Sequence, residues 1–205
     1  MWGGVLSERF PDFFEKHKDT DIFCFQEVYR GAEKKRNDEF IKIWDISKDS
    51  LNLFEDLEEM LPDHMGYFRP HVEDFYGLAI FVKKGIVVKE EGDIWIYGTG
   101  AYTENGVHSR NLQYVDIEHG GRELRVANVH GIWSPKTDKL DIPERLEQTR
   151  LILEFLKQKE KPLVLVGDFN LRPETKSLKA IEQEYINLLP KYGITDTRTS
   201  FYKKE

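Results

Sequence analysis

Residues 161–170, Lys-Pro-Leu-Val-Leu-Val-Gly-Asp-Phe-Asn, contain the pair of side chains best suited to chemistry in this chain. Asp168 and Asn170 follow a run of aliphatic residues, which predicts a strand that is buried on both faces. Gly167 allows a sharp turn there, so both polar side chains are expected on one side and Phe169 on the other. A carboxylate and a carboxamide in this position suit a hard cation and an oriented water molecule. The same pair is common in ordinary turns.

Two upstream strand ends carry side chains that complete a chemical set. Glu27 follows the apolar run at residues 22–25, and His130 closes the run at residues 126–129. Together with Asp168 and its neighbouring asparagine, they supply a carboxylate, an imidazole and a second carboxylate at three strand ends. These are the groups required for metal-assisted attack of water on a phosphoester.

Helices that would support these strand ends are predicted from hydrophobic periodicity. A first helix is expected from a cap at Ser7 to about residue 17, because Phe10, Phe13 and Phe14 form an apolar stripe. Pro143 favours the start of a later helix. The inward positions predicted for that later helix are Leu146, Thr149, Leu153 and Leu156. Further helices are expected near residues 51–61 and 177–185.

Alternating strands are expected between the terminal helices. They are predicted at residues 67–72, 77–83, 86–97, 111–118 and 124–130. Short turns between them are typical of an antiparallel meander. With the buried runs near both ends of the chain, this order predicts an α/β (α+β) fold. Its expected form is a four-layer α/β/β/α sandwich of two facing mixed sheets with helices outside.

Length, charge and cysteine content restrict the kind of protein that this chain can be and the partners that it can bind. The 205 residues, 40% of them hydrophobic, are sufficient for one core and predict a single domain over residues 1–205. A formal net charge of −7 argues against a general electrostatic attraction to nucleic acid, although it leaves room for a local basic groove. Cys24 is the single cysteine, so a reducing, cytoplasmic location is expected. No membrane span is predicted.

Four segments, in their order and spacing, resemble the endonuclease/exonuclease/phosphatase superfamily, whose members include DNase I-like nucleases. They are Asp-Ile-Phe-Cys-Phe-Gln-Glu-Val at residues 21–28, Arg-Asn-Leu-Gln-Tyr-Val at 110–115, Asn-Val-His-Gly at 128–131 and Val-Gly-Asp-Phe-Asn at 166–170. The resemblance covers nearly the whole chain. It implies a hydrolase that acts on phosphoesters, and the fold expected above.

The resemblance also implies roles for individual residues. Glu27 is expected to bind the metal, with Mg²⁺ as the expected ion and Mn²⁺ as an alternative. Asp168 and Asn170 would orient and deprotonate the attacking water and steady the phosphate. His130 would donate to the phosphoryl oxygen or to the leaving group.

Arg110 and Asn111 are candidates for binding the substrate phosphate. A guanidinium can donate to two phosphate oxygens at once, which would suit Arg110 in this role. An arginine at the end of a hairpin, exposed to solvent, explains the same residue equally well. The two interpretations stay open at this stage.

The sequence also departs from the family pattern. The asparagine that usually ends the family's first strand is absent, and so is the Asp-His pair that usually closes the family's sequence. Asp196 and the histidines at positions 17, 64, 71, 108 and 119 lie in the wrong contexts to replace that pair. A chain truncated at both ends, without the family's first and last strands, is therefore expected.

The predicted function is a magnesium-dependent phosphoester hydrolase, as a nuclease or phosphodiesterase, with a phosphoester substrate and nucleic acid as one candidate. With a different substrate, the alternative is a lipid or small-molecule phosphatase. A second alternative is a catalytically incomplete protein that binds a phosphorylated ligand, or another protein, on the same scaffold.

Overall fold

Two facing β-sheets, each covered by helices on its outer side, form the protein. A computed structural model describes residues 7–35, 50–100, 108–134, 136–158 and 161–197. The expected four-layer α/β sandwich is confirmed by this arrangement. The terminal segments 1–6 and 198–205, where the departures from the family pattern were expected, lie outside the described residues.

The first sheet is antiparallel and has the strand order β1-β3-β2. Its strands are β1 (Ile22–Tyr29), β2 (His64–Val72) and β3 (Tyr76–Lys83). Helices α1 (Phe10–Lys16) and α2 (Leu53–Met60) cover its outer face. The layer between them is rich in phenylalanine and contains Phe10, Phe14, Phe23, Phe25, Phe54, Phe68 and Phe81. Aromatic side chains of this size contribute much of the apolar area that folding buries.

The second sheet is mixed and has the strand order β4-β5-β6-β7. Strands β4 (Val87–Tyr97), β5 (Arg110–His119) and β6 (Arg122–His130) are antiparallel neighbours. Strand β7 (Leu163–Asp168) is parallel to β6, so the chain must cross over between them, and it does so through helix α3 (Pro143–Leu156). The expectation of mixed sheets therefore holds for this sheet, whereas the first sheet is purely antiparallel in the described residues.

Aliphatic side chains fill the space between the two sheets. Ile80 and Val82 of β3 pack against Val115 and Ile117 of β5 and Val126 of β6. All five are almost completely buried, and each such side chain contributes roughly 1.5–3 kcal/mol through removal from water. This layer fixes the distance and register of the sheets, and with them the relative positions of the strand ends.

Burial differs from prediction in strand β7 and helix α3, and also at Phe13 of α1, which is 47% exposed. Strand β7 is not buried on both faces: it is the outermost strand of its sheet in the described part of the chain, and Val164 is 40% exposed. Helix α3 does not turn Leu146 inward, since that residue is 41% exposed. Arg145 and Gln148 are buried instead, because they bond Ile132 in the segment that follows β6.

The helix termini also differ in detail from expectation. Ser7 lies in a short 3₁₀ turn, and Arg9 occupies the N-cap of α1 without a side-chain hydrogen bond, so the predicted cap is wrong. After β7, helix α4 (Lys176–Glu184) is capped by the Thr175 hydroxyl, and the short helix α5 (Leu188–Lys191) follows. None of the helices within the described ranges has the length and apolar character that a membrane crossing requires.

A buried ion pair joins the inner strands of the second sheet. Arg125 on β6 donates to both carboxylate oxygens of Asp116 on β5, at 2.7 and 2.8 Å. Lys161, just before β7, donates to Asp116 at 2.9 Å, so the carboxylate connects three strands. Burial alone would raise the pKa of Asp116, but the hydrogen bonds from Arg125 and Lys161 outweigh it and lower the pKa below its ordinary value.

Replacing this carboxylate should destabilise the fold in a pH-dependent way. Asp116→Asn leaves the buried Arg125 guanidinium without its hydrogen-bonded carboxylate, whereas Lys161 keeps Glu123 at 3.4 Å. We therefore expect a loss of about 3 kcal/mol in the free energy of unfolding near neutral pH. Because the pKa of Asp116 is lowered in the folded state, its contribution is present above about pH 4 and is lost as pH falls further. Urea unfolding of both proteins over a pH series measures this difference.

Glu118→Gln is the matched control, because it removes a carboxylate from the same strand in an exposed ion pair with Lys89. Its effect should be smaller than that of Asp116→Asn. Equal losses for the two variants, or a loss for Asp116→Asn that persists unchanged in acid, would contradict the assignment.

Candidate active site

The ends of strands β6 and β7 bring His130 and Asp168 side by side. Their Cα atoms are register partners in the parallel pair. The backbones approach so closely that a Cβ on Gly131 would lie 2.1 Å from the Phe169 carbonyl oxygen, and one on Gly167 would lie 1.9 Å from that of Val129. Glycine at both positions is therefore what permits this pairing of an imidazole with a carboxylate.

Asp168 and Asn170 form the local turn that the sequence also allowed. The Asn170 backbone N–H donates to Asp168 Oδ1 at 2.9 Å, and Asn170 has a left-handed φ of 51°. The Asn170 side chain is buried and donates to the Gly131 carbonyl at 3.1 Å, which ties β7 to the residue after His130. Asp168 itself is exposed. The turn thus fixes one oxygen of a carboxylate that faces solvent.

Glu27 lies at a bulge in β1, between Phe25 and Val28. Its φ of 61° is left-handed, a conformation that is strained for a residue other than glycine. The neighbouring Gln26 donates to Asn128 Oδ1 at 2.7 Å, and Asn128 donates to the Phe25 carbonyl at 2.9 Å. This reciprocal pair fastens β1 of the first sheet to β6 of the second. The bulge can then direct Glu27 away from the strand.

Arg110 is a buried cation at the centre of these strand ends. It is 2% exposed, and burial lowers the pKa of its guanidinium, whereas the nearby Tyr76, Glu27 and Asp168 act in the opposite direction. A guanidinium nevertheless remains protonated in a protein. Both candidate catalytic carboxylates therefore lie within electrostatic reach of one positive charge. The interpretation of Arg110 as a solvent-exposed hairpin residue is wrong.

His130 is held as a neutral imidazole with a defined tautomer. Arg110 Nη1 donates to His130 Nδ1 at 3.2 Å, and since arginine only donates, Nδ1 must accept. Burial first, and then the Arg110 charge and the histidines 71 and 108, lower the pKa of His130 well below its ordinary value. The proton of the neutral ring is then on Nε2, which makes no hydrogen bond to any residue that the structure describes.

Asn111 is fully buried and turned away from the cleft. Its Nδ2 donates to Asp93 Oδ2 at 3.0 Å and to the Pro70 carbonyl at 3.2 Å, and its Oδ1 lies 3.1 Å from His71 Nδ1. His71 in turn accepts from Arg110 at 3.3 Å. Sequence reasoning set His71 aside. The sequence could have indicated His71 as a site residue, because it lies near the end of a predicted strand, as His130 does.

The donor set at the strand ends fits a hard cation. Glu27 and Asp168 offer carboxylate oxygens, the ligand type that Mg²⁺ prefers. No group of three or more histidine, cysteine, aspartate or glutamate side chains in the described ranges is arranged as a metal site. Mg²⁺ commonly uses only one or two carboxylates and takes its other ligands from water and substrate phosphates, so a single protein carboxylate is compatible with it.

The chain is similar in sequence to a family of proteins and in fold to several solved structures. The model of the family described as the endonuclease/exonuclease/phosphatase family matches residues 5–201. No curated protein matches the chain.

Several solved structures share the fold. A mannosyl-6-phosphatase from Bacteroides thetaiotaomicron has a TM-score of 0.63 and 22% identity, over 87% of this chain and 62% of that one. An endonuclease/exonuclease/phosphatase from Bacteroides vulgatus has a TM-score of 0.64 and 20% identity, over 85% and 61%. A humanized D. rerio TDP2 has a TM-score of 0.60 and 15% identity, over 87% and 63%. The chain thus spans about three-fifths of the length of these structures.

The strained backbone at Glu27 leads to a prediction about stability. Glu27→Gly places at φ 61° the one residue without a Cβ penalty, so its free energy of unfolding should be about 1 kcal/mol higher than that of Glu27→Ala. Glu27→Ala removes the same carboxylate and keeps the strain, so it should not show this gain. Urea unfolding of the two variants compares them directly. A glycine variant no more stable than the alanine variant would contradict the inference of strain.

Proposed function

Because the chain belongs to the endonuclease/exonuclease/phosphatase family, we propose that it is a magnesium-dependent phosphoester hydrolase acting as a nuclease or phosphodiesterase. The observation that carries the proposal is the convergence of Glu27, His130 and Asp168 around the buried Arg110. Members of this family cleave phosphoesters. A site of this kind must orient a water molecule, bear developing negative charge and hold a phosphate, and the converging residues supply a group for each task.

Glu27 is the residue that would hold the metal ion. Its position at the bulge separates it from the hydrogen-bonding ladder of β1 and from the Gln26–Asn128 pair behind it. When bound, Mg²⁺ would polarise a phosphate oxygen, and Mn²⁺ could serve in its place. The remaining steps depend on the side chains of the chain itself.

Asp168 would orient the attacking water and take its proton. The backbone N–H of Asn170 fixes Oδ1, and the carboxylate is exposed, so it can meet a water molecule in the cleft. Asn170 supports this geometry by binding the Gly131 carbonyl, and its side chain would steady the phosphate next to it. Holding water and phosphate in a fixed geometry is a large part of phosphoryl-transfer catalysis.

His130 would donate a hydrogen bond from Nε2 to the phosphoryl oxygen. Because the lowered pKa keeps the ring neutral, it has no imidazolium proton to give to a leaving group. Its Nε2–H is suited instead to a hydrogen bond that stabilises charge on the phosphoryl group. Arg110 lies behind the ring and adds a positive charge in a site of low dielectric constant. The effect of Arg110 on the phosphate would be electrostatic. Asn111 would act indirectly, through its hydrogen bond with His71.

Phosphomonoesters are the second class of substrate to consider. The formal net charge of −7 disfavours long nucleic acid, and one protein that is similar in fold is a mannosyl-6-phosphatase. A small-molecule phosphatase is therefore the alternative that the same site would support.

The test is hydrolysis of bis(p-nitrophenyl) phosphate and of p-nitrophenyl phosphate, each with Mg²⁺ and with EDTA. Turnover should require Mg²⁺ and should fall by about 100-fold or more in Asp168→Ala and Glu27→Ala. The exposed Glu118→Gln variant is the control and should retain activity. The preferred ester separates phosphodiesterase from phosphatase.

Two outcomes would overturn the proposal. Turnover that survives EDTA or the Asp168→Ala change would exclude the assigned site. Absence of turnover in the wild-type protein, with Mg²⁺-dependent binding of inorganic phosphate, would leave a phospho-ligand binding protein on the same scaffold.

A further inference from the structure

Four buried polar side chains form a continuous path that ends at the candidate catalytic imidazole of His130. Asn111 and His71 have no exposed surface, Arg110 is 2% exposed and His130 is 4% exposed. They come from β5, β2, β5 and β6, so the path passes from one sheet to the other and back. Solvent has almost no access to it, and water cannot readily replace a hydrogen bond that is lost there.

The direction of the hydrogen bonds is fixed at the far end of this path. Asn111 Nδ2 faces oxygen atoms, namely Asp93 Oδ2 at 3.0 Å and the carbonyls of Pro70 and Arg69 at 3.2 and 3.4 Å. Only the amide nitrogen can donate to them, so Asn111 Oδ1 is the end that faces His71 Nδ1. His71 must therefore carry its proton on Nδ1.

The position of the proton on His71 also determines how Arg110 donates to His130. With its proton on Nδ1, His71 presents a lone pair at Nε2, which accepts from Arg110 Nη1 at 3.3 Å. The second hydrogen of Nη1 is then directed to His130 Nδ1 at 3.2 Å. If His71 carried its proton on Nε2, two N–H groups would face each other, and the guanidinium would have to move away from His130.

We propose that His71, oriented by Asn111, is a positioning residue that sets the tautomer and orientation of His130 through the shared Arg110 guanidinium. The catalytic part of this proposal rests on the proposed function, because it assumes that His130 Nε2 donates to the phosphoryl oxygen. The structural part, which nitrogen of each ring carries the proton, does not depend on activity.

Ring contacts also keep His71 in this orientation. Its ring makes an edge-to-face contact with Tyr76, at a centroid distance of 5.1 Å and an interplanar angle of 86°, and it stacks on His108 at 5.5 Å. An apolar ring of similar size could keep these contacts but could not accept from Arg110. Packing and hydrogen bonding at this position can therefore be separated by substitution.

The first measurement is the tautomer of each ring, read from long-range proton–nitrogen correlation spectra of the protein labelled with ¹⁵N-histidine. In the wild-type protein we expect Nδ1–H for His71 and Nε2–H for His130. His71→Phe should convert His130 to a mixture of tautomers. His64→Phe is the matched control, because His64 is a buried histidine at the opposite end of the same strand, and it should leave His130 unchanged.

The second measurement is steady-state hydrolysis of bis(p-nitrophenyl) phosphate. His71→Phe should lower kcat by about 10- to 100-fold with little change in KM, as expected when an interaction that matters in the transition state is weakened. His71→Gln keeps an oxygen that can accept from Arg110, so it should recover most of kcat and the Nε2–H tautomer of His130. A role in packing alone would not produce this rescue.

Each outcome has a distinct meaning. A His130 tautomer that is unchanged in folded His71→Phe overturns the proposal, and so does a wild-type spectrum with the opposite tautomer on either ring. The wild-type spectrum can therefore overturn the proposal even if His71→Phe does not fold, and His71→Gln then tests the role of His71. Expected spectra together with a protein that shows no turnover would support the positioning of His130 while refuting the proposed function.

Discussion

The buried guanidinium of Arg110 is the interaction on which the arrangement of the site depends. A cation removed from water is costly unless hydrogen bonds and opposite charges surround it. Here two imidazoles, on His71 and His130, accept its hydrogens, and the carboxylates of Glu27 and Asp168 contribute favourable charge. These partners lie on β2, β6, β1 and β7, so five strands of both sheets must end at the same place. Most of the groups that stabilise Arg110 are therefore also residues of the candidate site.

Local features that are unfavourable in isolation make this convergence geometrically possible. In a loosely packed structure, the backbone at Glu27 would leave its left-handed conformation, and Gly131 would move away from the Phe169 carbonyl. They persist because the Gln26–Asn128 pair and the aliphatic layer between the sheets hold the strands in register. Strain concentrated at a strand end and supported by the surrounding core is a common feature of functional sites.

The sequence was sufficient for the positions of the strands along the chain and for the residues at the strand ends, because apolar runs that end in Glu27, His130 and Asp168 are local patterns. It was insufficient for the partners of buried polar groups, since these depend on which strands meet. Asn111 looked like a phosphate ligand next to Arg110, but its amide is already hydrogen-bonded to Asp93, to the Pro70 carbonyl and to His71.

Burial of whole elements was also incompletely predicted. Leu146 seemed to belong to the inner face of α3 because it is apolar, yet Arg145 and Gln148 occupy that face, since the segment after β6 needs their hydrogen bonds.

The proposed roles of the site residues are tested most directly by a crystal structure of the protein with Mg²⁺ and inorganic phosphate. The arrangement of the site predicts a phosphate oxygen that accepts from His130 Nε2, a phosphate beside Asn170 and the ion on Glu27. Phosphate bound elsewhere, or an ion away from Glu27, would contradict these roles.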